Sequence, residues 1–349
     1  MPLLPPPAAG LSRRQLLQLA AAGGLALLGR GGSAAAAGLP ALPPRGDRRL
    51  VAISDLNGPY GSTAYLETVH RGVALIPSLA PDLVLCGGDM VAGQKPGLSA
   101  ARLAAMWTAF DRQVLSPLLR ANLPFAFTLG NHDASGSRSG GRYSFALDRQ
   151  EAERFWRGRR DRLGLRFVDA SRFPFAYSVL QDDLFLLVWD ASAAQLPADQ
   201  LAWAERSLAS PAARGARERL VMGHLPLLPI ARGRDRPGEV LQQAAALQRL
   251  LERHKVGAYI SGHHHAFFPG RGGALDLLAL GALGHGPRRL LGSSQPPRHT
   301  LTLIDLFWAR SGGPARRVYT AYDMVSLRRI RPDELPASVV TPDGRRISR

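Results

Sequence analysis

The sequence is poor in cysteine and lysine, with a single cysteine, Cys86, among 349 residues. One cysteine excludes an intramolecular disulfide. Because Cys86 lies inside the apolar run Leu83-Val84-Leu85-Cys86, we expect it to be a small buried core residue rather than a ligand or nucleophile. The only lysines are Lys95 and Lys255, so the formal net charge of +17 is carried almost entirely by arginine.

Basic segments interleaved with aromatic residues, which would indicate a groove for nucleic acid, are also missing. The arginine clusters at 157–162 and 328–331 are interpreted as solvated surface, although a positive net charge attracts anionic partners in general. A nucleic-acid-binding role would rest on charge alone. We therefore expect no specific nucleic-acid partner.

A hydrophobic run of membrane-spanning length is absent as well. The apolar stretch from Leu16 to Leu28 is shorter than the roughly 20 residues that a span needs. It overlaps Ser12-Arg13-Arg14-Gln15-Leu16-Leu17, which resembles the twin-arginine export signal, and cleavage is expected near Ala36 or Ala37. The prediction is a signal over 1–38, read by export machinery for folded proteins. It implies a periplasmic or extracellular location and no stable membrane insertion after cleavage, with an uncleaved anchor as the alternative.

Internal repeats and long low-complexity linkers are not found, so residues 39–330 are predicted to form one domain and 331–349 a C-terminal tail. Strand-like runs alternate with amphipathic helices in the first part of this domain. The pattern predicts a polar loop at 135–142 and a helix at 239–254, and strands dominate after residue 275. This order indicates an α/β fold with two packed sheets and helices outside.

Five short polar motifs, each at the end of an apolar run, carry most of the functional information. They are Asp55-Leu56-Asn57, Gly88-Asp89, Gly130-Asn131-His132-Asp133, Gly223-His224 and Gly262-His263-His264-His265. Ligands of open α/β sheets bind beyond the carboxyl ends of the strands, so one fold would gather these side chains. Residues two apart in an extended chain face the same side, so His263 and His265 point together and His264 points away. The sequence therefore predicts a metal site.

The five motifs resemble those of calcineurin-like metallophosphoesterases, whose pattern is Asp-x-His, Gly-Asp, Gly-Asn-His-Asp/Glu, a later His, and Gly-His-x-His. The resemblance spans residues 50 to 270. It implies a four-layer α/β/β/α sandwich with a two-metal site at the carboxyl-terminal rim of the strands. The His-x-His-x-Asp-His run of metallo-β-lactamase-like hydrolases is absent, which disfavours that class.

The resemblance also implies ligands for two divalent metal ions. The first ion would be held by Asp55, Asn57, Asp89 and His265, and the second by Asp89, Asn131, His224 and His263. Oxygen and imidazole donors without thiolates suit Mn, Fe or Zn. By the same resemblance, a hydroxide bridging the ions would attack phosphorus, and His132 would protonate the leaving oxygen or stabilise its charge. Asp133 would orient His132.

Asn57 departs from the family pattern, which has histidine at that position. An amide oxygen is a weaker ligand than imidazole, so we expect a loosely held first metal ion. The alternative is an inactive or binding-only protein with a weakened first site. For substrate, Arg138 and Arg142 in the polar loop and His285 in a Gly-Pro loop are candidate binding residues.

The sequence thus predicts an exported metal-dependent phosphoesterase that hydrolyses small phosphomonoesters or phosphodiesters. A second interpretation keeps the same fold but predicts hydrolysis of a different bond, the pyrophosphate link of a nucleotide or lipid.

Overall fold

A computed structural model describes residues 42–310 and 313–349. The predicted export signal at 1–38 lies outside these residues. Within the described ranges, no helix combines the length and apolar character needed to cross a membrane.

The described chain forms two large β-sheets and one two-stranded hairpin. In chain order the strands are β1 Arg48–Ile53, β2 Leu83–Cys86, β3 Phe125–Phe127, β4 Arg138–Ser139, β5 Arg142–Tyr143, β6 Phe167–Arg172, β7 Ala176–Gln181, β8 Leu184–Val188, β9 Glu218–Met222, β10 Ala258–Ser261, β11 Phe268–Gly272, β12 Leu275–Ala279, β13 Thr300–Phe307, β14 Arg316–Asp323, β15 Arg328–Arg329, β16 Ser338–Val340 and β17 Arg346–Ser348. One sheet has the order β15-β14-β13-β1-β2-β3 and the other β16-β17-β11-β12-β10-β9-β8-β7-β6.

The helices follow the apolar periodicity of the sequence. They are α1 Glu67–Leu75, α2 Ala100–Phe110, α3 Ser116–Arg120, α4 Asn131–Ala134, α5 Ala146–Arg157, α6 Ala198–Leu208, α7 Pro211–Gly215 and α8 Ala244–Arg253, with 3-10 turns at Ile76–Leu79, Arg160–Arg162 and Pro332–Glu334 and a π-helical turn at Asp111–Leu115. Ser99 begins α2 as an N-cap, because its hydroxyl accepts a hydrogen bond from the Arg102 backbone N–H at 3.2 Å.

Successive side chains along the central strands of the second sheet point alternately to its two faces, and each face belongs to a different hydrophobic core. In β8, Leu184, Leu186 and Val188 pack between the sheets, whereas Phe185 and Leu187 pack on the opposite face among residues of α6 and α8. Such a division, with helices outside both sheets, makes the fold an α/β/β/α sandwich, as predicted. Cys86 is fully buried in the core between strands and helices, which confirms its structural role.

Parallel pairing brings the predicted motifs to one rim. β1, β2 and β3 run parallel in the first sheet, as do β8, β9, β10 and β12 in the second. The strands β1, β2, β9 and β10 each end one or two residues before the first residue of a motif, as the apolar runs predict. Their carboxyl ends therefore meet on the same side of the sandwich.

Three sequence predictions about local structure need correction. The polar segment 135–142 is not all loop, because β4 and β5 pair there as a hairpin. The helix predicted from Glu239 begins at Ala244, so Glu239 lies in the preceding loop. Residues 331–349 are no separate tail, since β16 and β17 join the second sheet through Ser348 and Arg271. Val339 and Ile347 are buried, which gives this C-terminal segment an apolar reason to pack against the domain.

Arg317 links the two sheets at the end of the sandwich opposite the motifs. It lies on β14, and its guanidinium contacts carboxylates of the second sheet, with Nε 2.7 Å from an Asp276 oxygen and Nη1 3.0 Å from a Glu218 oxygen. The Tyr319 hydroxyl donates to the same Asp276 oxygen at 2.8 Å. The Arg317 side chain is only 8% exposed, so removing it leaves the buried Glu218 carboxylate without its ion-pair partner, whereas Asp276 keeps Arg271 at 2.8 Å.

We therefore expect Arg317→Met to lower the free energy of unfolding by about 3–5 kcal/mol at neutral pH. Burial raises the pKa of Glu218 despite Arg317. In the variant this carboxyl takes up a proton in the folded state more readily than in the unfolded chain, so the deficit shrinks as the pH falls through its pKa. Urea unfolding at neutral pH and in mild acid measures both effects. Arg328→Met, at an exposed position, is the control; a deficit equal to that of the control contradicts the role of Arg317.

Candidate metal centre

The loops after β1 and β2 turn sharply to present two carboxylates. Asp55 and Asp89 both have positive φ, 52° and 53°, in the left-handed region that L-residues seldom occupy. Gly130 lies against Asp89, and a Cβ at this position would overlap the Asp89 carboxylate. Glycine is therefore required for the close approach of the β3 loop to Asp89.

Asp89 lies at the centre of the site, because it belongs to two groups of potential metal ligands. One group is Asp55, Asp89 and His265, and the other is Asp89, His224 and His263; within each group the candidate ligand atoms lie within 4.8 Å of one another. Four of these five side chains are buried, and the His265 side chain is 11% exposed. The structure thus brings five of the seven predicted ligands into two clusters that share one carboxylate.

Backbone carbonyls orient two of the histidines. His224 Nδ1 lies 2.7 Å from the Gly87 carbonyl, and His265 Nδ1 lies 2.9 Å from the Gly286 carbonyl. A carbonyl only accepts, so both Nδ1 atoms carry the proton and both Nε2 atoms face the site. Each Nε2 atom is directed at a carboxylate, at 3.2 Å from Asp89 for His224 and 3.1 Å from Asp55 for His265.

The Asn131 amide is fixed by Gln94, a residue that the sequence analysis did not select. Asn131 Nδ2 donates to Gln94 Oε1 at 2.6 Å, which leaves Asn131 Oδ1 directed at His224 Nε2, 3.1 Å away. The Gln94 backbone N–H donates in turn to Asp148 at 2.8 Å. The orientation of the amide oxygen toward the histidine cluster is therefore held by hydrogen bonds outside the five motifs.

The electrostatics of the cluster favour positive charge. Burial opposes protonation of His224, but the Asp89 carboxylate outweighs it and raises the pKa of this imidazole to about 9. Burial likewise opposes ionisation of Asp89, yet His224 and His132 hold its pKa below the usual range. A divalent cation meets the same demand for positive charge, and carboxylate oxygens with imidazole nitrogens are a ligand set for Mn, Fe or Zn. The residues present therefore fit metal ions.

His132 lies beside the cluster rather than within it. Its Nδ1 is 3.2 Å from the Gly93 carbonyl and its Nε2 is 4.0 Å from Asp89. The Tyr60 ring lies on its outer side at 5.1 Å between centroids and is 56% exposed. His132 thus stands between the buried carboxylates and the surface, where a substrate would approach.

Asp133 does not orient His132, which corrects the sequence prediction. Its carboxylate accepts hydrogen bonds from three backbone N–H groups, those of Met90 at 2.7 Å, Val91 at 2.9 Å and Gly130 at 2.9 Å. Burial, and then Asp89, raise the pKa of Asp133 to about 7. The residue holds the loops after β2 and β3 together, and Gly93 takes the partner position on His132.

The remaining predicted residues lie on the rim and on a surface hairpin. Asn57 is buried. Its backbone carbonyl accepts a hydrogen bond from the His285 backbone N–H at 3.2 Å, so both residues lie on the rim next to Asp55. Arg138 and Arg142 lie on the exposed β4-β5 hairpin. The Arg138 guanidinium lies 4.1 Å from the Tyr143 ring centre, within the hairpin itself.

Glu239 is a further residue of the site that the sequence analysis missed. His263 Nε2 donates to Glu239 Oε2 at 2.8 Å, which leaves His263 Nδ1 as the free nitrogen. His264 points away from the centre, as predicted: Ile230 N–H donates to its Nδ1 at 3.2 Å, and its Nε2 donates to the Glu239 carbonyl at 3.0 Å. Burial lowers the pKa of His264 to about 3, so the ring is neutral and secures the Glu239 loop to the motif.

The fold and this cluster define a class of protein, the metallophosphoesterases, which are phosphoric ester hydrolases. A family model described as calcineurin-like phosphoesterase matches residues 48–267. The chain belongs to this family, and the resemblance predicted from the five motifs is confirmed.

A solved structure with a TM-score above 0.5 shows the same fold. The purple acid phosphatase from yellow lupin (Lupinus luteus) seeds is 14% identical with a TM-score of 0.56, covering 80% of this chain and 52% of the lupin chain. A 5′-nucleotidase precursor from Thermus thermophilus is 17% identical with a TM-score of 0.43, covering 83% of this chain and 55% of that chain. The present chain therefore spans about half the length of either protein. Comparison with curated protein sequences gives no match.

Proposed function

We propose that the protein is an exported phosphoesterase that uses two divalent metal ions to hydrolyse small phosphomonoesters or phosphodiesters. The observation that carries the proposal is the shared carboxylate: Asp89 belongs to both groups of buried potential ligands. Asn57 would add an oxygen to the first group, and Asn131, whose amide oxygen faces His224, would add one to the second. When bound, the ions supply Lewis acidity that neutralises the phosphoryl group and acidifies water.

The protein's own residues supply orientation and a proton. The Gly87 and Gly286 carbonyls fix His224 and His265 in the tautomer whose Nε2 faces the centre. His132 has Nδ1 directed at the Gly93 carbonyl, so in its protonated form the second proton lies on Nε2, on the side of Asp89. We assign to His132 the protonation of the leaving oxygen.

The test is hydrolysis of p-nitrophenyl phosphate and bis(p-nitrophenyl) phosphate by the mature chain with Mn²⁺, with and without chelator. Chelator-sensitive turnover of either ester supports the proposal, and the ratio of the two rates gives the ester preference. A folded, metal-loaded protein that turns over neither ester contradicts it and favours the binding-only alternative based on Asn57.

Asn57 also gives a prediction about metal affinity. We expect metal added to the stripped protein to fill two unequal sites, because an amide oxygen at the first site is a weaker donor than imidazole. Asn57→His restores the family residue and should tighten the weaker site by about tenfold or more. Calorimetric titration with Zn²⁺ measures both, and two equally tight sites in the unmodified protein would refute the expectation.

A further inference from the structure

Two loops border the metal centre on the side of His263 and His265, and they are paired with each other. The Arg232 backbone N–H donates to the Arg289 carbonyl at 2.9 Å, and the Leu291 N–H donates to the Ile230 carbonyl at 2.8 Å. An antiparallel bridge joins Ala231 and Leu290 between them. We call these segments, 230–239 and 286–291, the paired loops.

The histidine motif anchors both paired loops. His264 binds the first through Ile230 and Glu239, as described above. The His265 carbonyl accepts a hydrogen bond from the Arg288 backbone N–H at 2.9 Å. Side chains carried by the paired loops are therefore held at a fixed position relative to the predicted metal ligands.

Each paired loop carries an arginine with unused hydrogen-bonding capacity. The Nε atoms of Arg234 and Arg288 are buried and have no hydrogen-bond partner in the part of the chain that the structure describes. The Arg288 guanidinium lies against the turn before Arg234, since a Cβ built on Gly233 would be 3.8 Å from Arg288 Nη1. Burial, and then the nearby Arg234 guanidinium, lower the pKa of Arg288.

The positive charge of this pair is incompletely balanced. Arg234 Nη1 binds Glu239 Oε2 at 2.6 Å, but the same oxygen also accepts from His263 Nε2 at 2.8 Å. Among the residues described, Arg288 forms no ion pair within 4.0 Å, so two guanidinium groups depend on one shared carboxylate. A buried N–H group without a hydrogen-bond partner is unfavourable, and a phosphate oxygen that accepts from it removes this cost. The planar arginine guanidinium also matches the geometry of phosphate oxygens.

We propose that Arg234 and Arg288 form an anion subsite that binds a second phosphoryl group of the substrate, next to the one that is hydrolysed. The inference rests on the proposed metal-dependent phosphoryl hydrolysis and extends it from esters to the pyrophosphate bond of substrates with two linked phosphoryl groups, such as a nucleoside diphosphate. Glu239 sets the distance, because it joins Arg234 to His263 through a single oxygen. The Arg234 guanidinium that would bind the second phosphoryl group is thus two hydrogen bonds from His263, a predicted metal ligand.

Arg288→Gln tests the subsite most cleanly, because Arg234→Gln would also release Glu239 from its partner. Binding of methylenediphosphonate and of methylphosphonate to the Mn²⁺-loaded protein is measured by calorimetry, against a blank titration at the same Mn²⁺ concentration. The KM values for ADP and AMP are measured in parallel. Arg236→Gln, at an exposed position on the 230–239 loop, removes the same charge and is the control.

We expect Arg288→Gln to weaken methylenediphosphonate binding, and to raise the KM for ADP, by about tenfold or more. In Arg288→Gln, the affinity for methylphosphonate and the KM for AMP should stay within about twofold of the unmodified protein. The Arg236→Gln control should change none of these affinities or KM values. Equal weakening for the one- and two-phosphoryl ligands, or no weakening, overturns the subsite. Selective weakening of methylenediphosphonate binding, in a protein that hydrolyses neither the nucleotides nor the two nitrophenyl esters, would leave the subsite supported and overturn the proposed function.

Discussion

Asp89→Asn is expected to lower kcat/KM for phosphoester hydrolysis by about a thousandfold or more, equivalent to about 4 kcal/mol of transition-state stabilisation. The carboxylate belongs to both groups of potential ligands, so its loss weakens both metal positions at once. It also removes the negative charge that, against the effect of burial, raises the pKa of His224. Steady-state kinetics at saturating Mn²⁺ gives the rate, and metal analysis after desalting gives the ions retained.

The control for this variant is Asp111→Asn. Asp111 is a partly buried carboxylate whose partners are Arg159 and Ser116 in the helical layer, away from the metal centre. We expect its activity to stay within about twofold of the unmodified protein, because the metal centre is untouched. If Asp89→Asn retains both metal ions and more than about a tenth of the activity, Asp89 is not the shared ligand.

His132→Gln is expected to lower kcat by about 10²–10⁴-fold for alkyl phosphates while leaving the metal content unchanged. His132 faces Asp89 at 4.0 Å but belongs to neither ligand group. A proton donor matters most when the leaving oxygen is strongly basic, and a nitrophenolate departs without help. The defect should therefore be much smaller for p-nitrophenyl phosphate than for an alkyl ester.

The comparison of leaving groups separates proton donation from other roles of His132. Asp133→Asn is a useful companion, because Asp133 binds three backbone N–H groups and should affect stability more than the leaving-group dependence. An equal loss with alkyl and aryl esters would show that His132 does not protonate the leaving group. Loss of metal in His132→Gln would make it a ligand instead.

The part of the site that follows strand ends was predictable from sequence. Four of the candidate ligands follow a parallel strand within three residues: Asp55, Asp89, His224 and His263. Locating the strands from the sequence was therefore enough to predict that these side chains meet at one rim. The fold class followed from the same alternation of strands and helices.

Contacts made by loops were not predictable, because hydrogen bonds between distant segments leave no periodic signal. Glu239 was assigned to a helix because the amphipathic pattern extends back to it, yet it lies in the loop that contacts His263. Asp133 was predicted to orient its sequence neighbour His132. In the structure its buried carboxylate instead accepts hydrogen bonds from the backbone of two loops. The C-terminal strands were missed since β16 and β17 contain three residues each and pair at the edge of a sheet formed much earlier in the chain.

The central claim is that one carboxylate serves two metal positions. Anomalous diffraction from crystals of the chain grown with Mn²⁺ tests it directly. The account predicts two peaks, one among Asp55, Asp89 and His265 and one among Asp89, His224 and His263, with Asp89 contacting both. A single peak, or two peaks of which only one contacts Asp89, would contradict it.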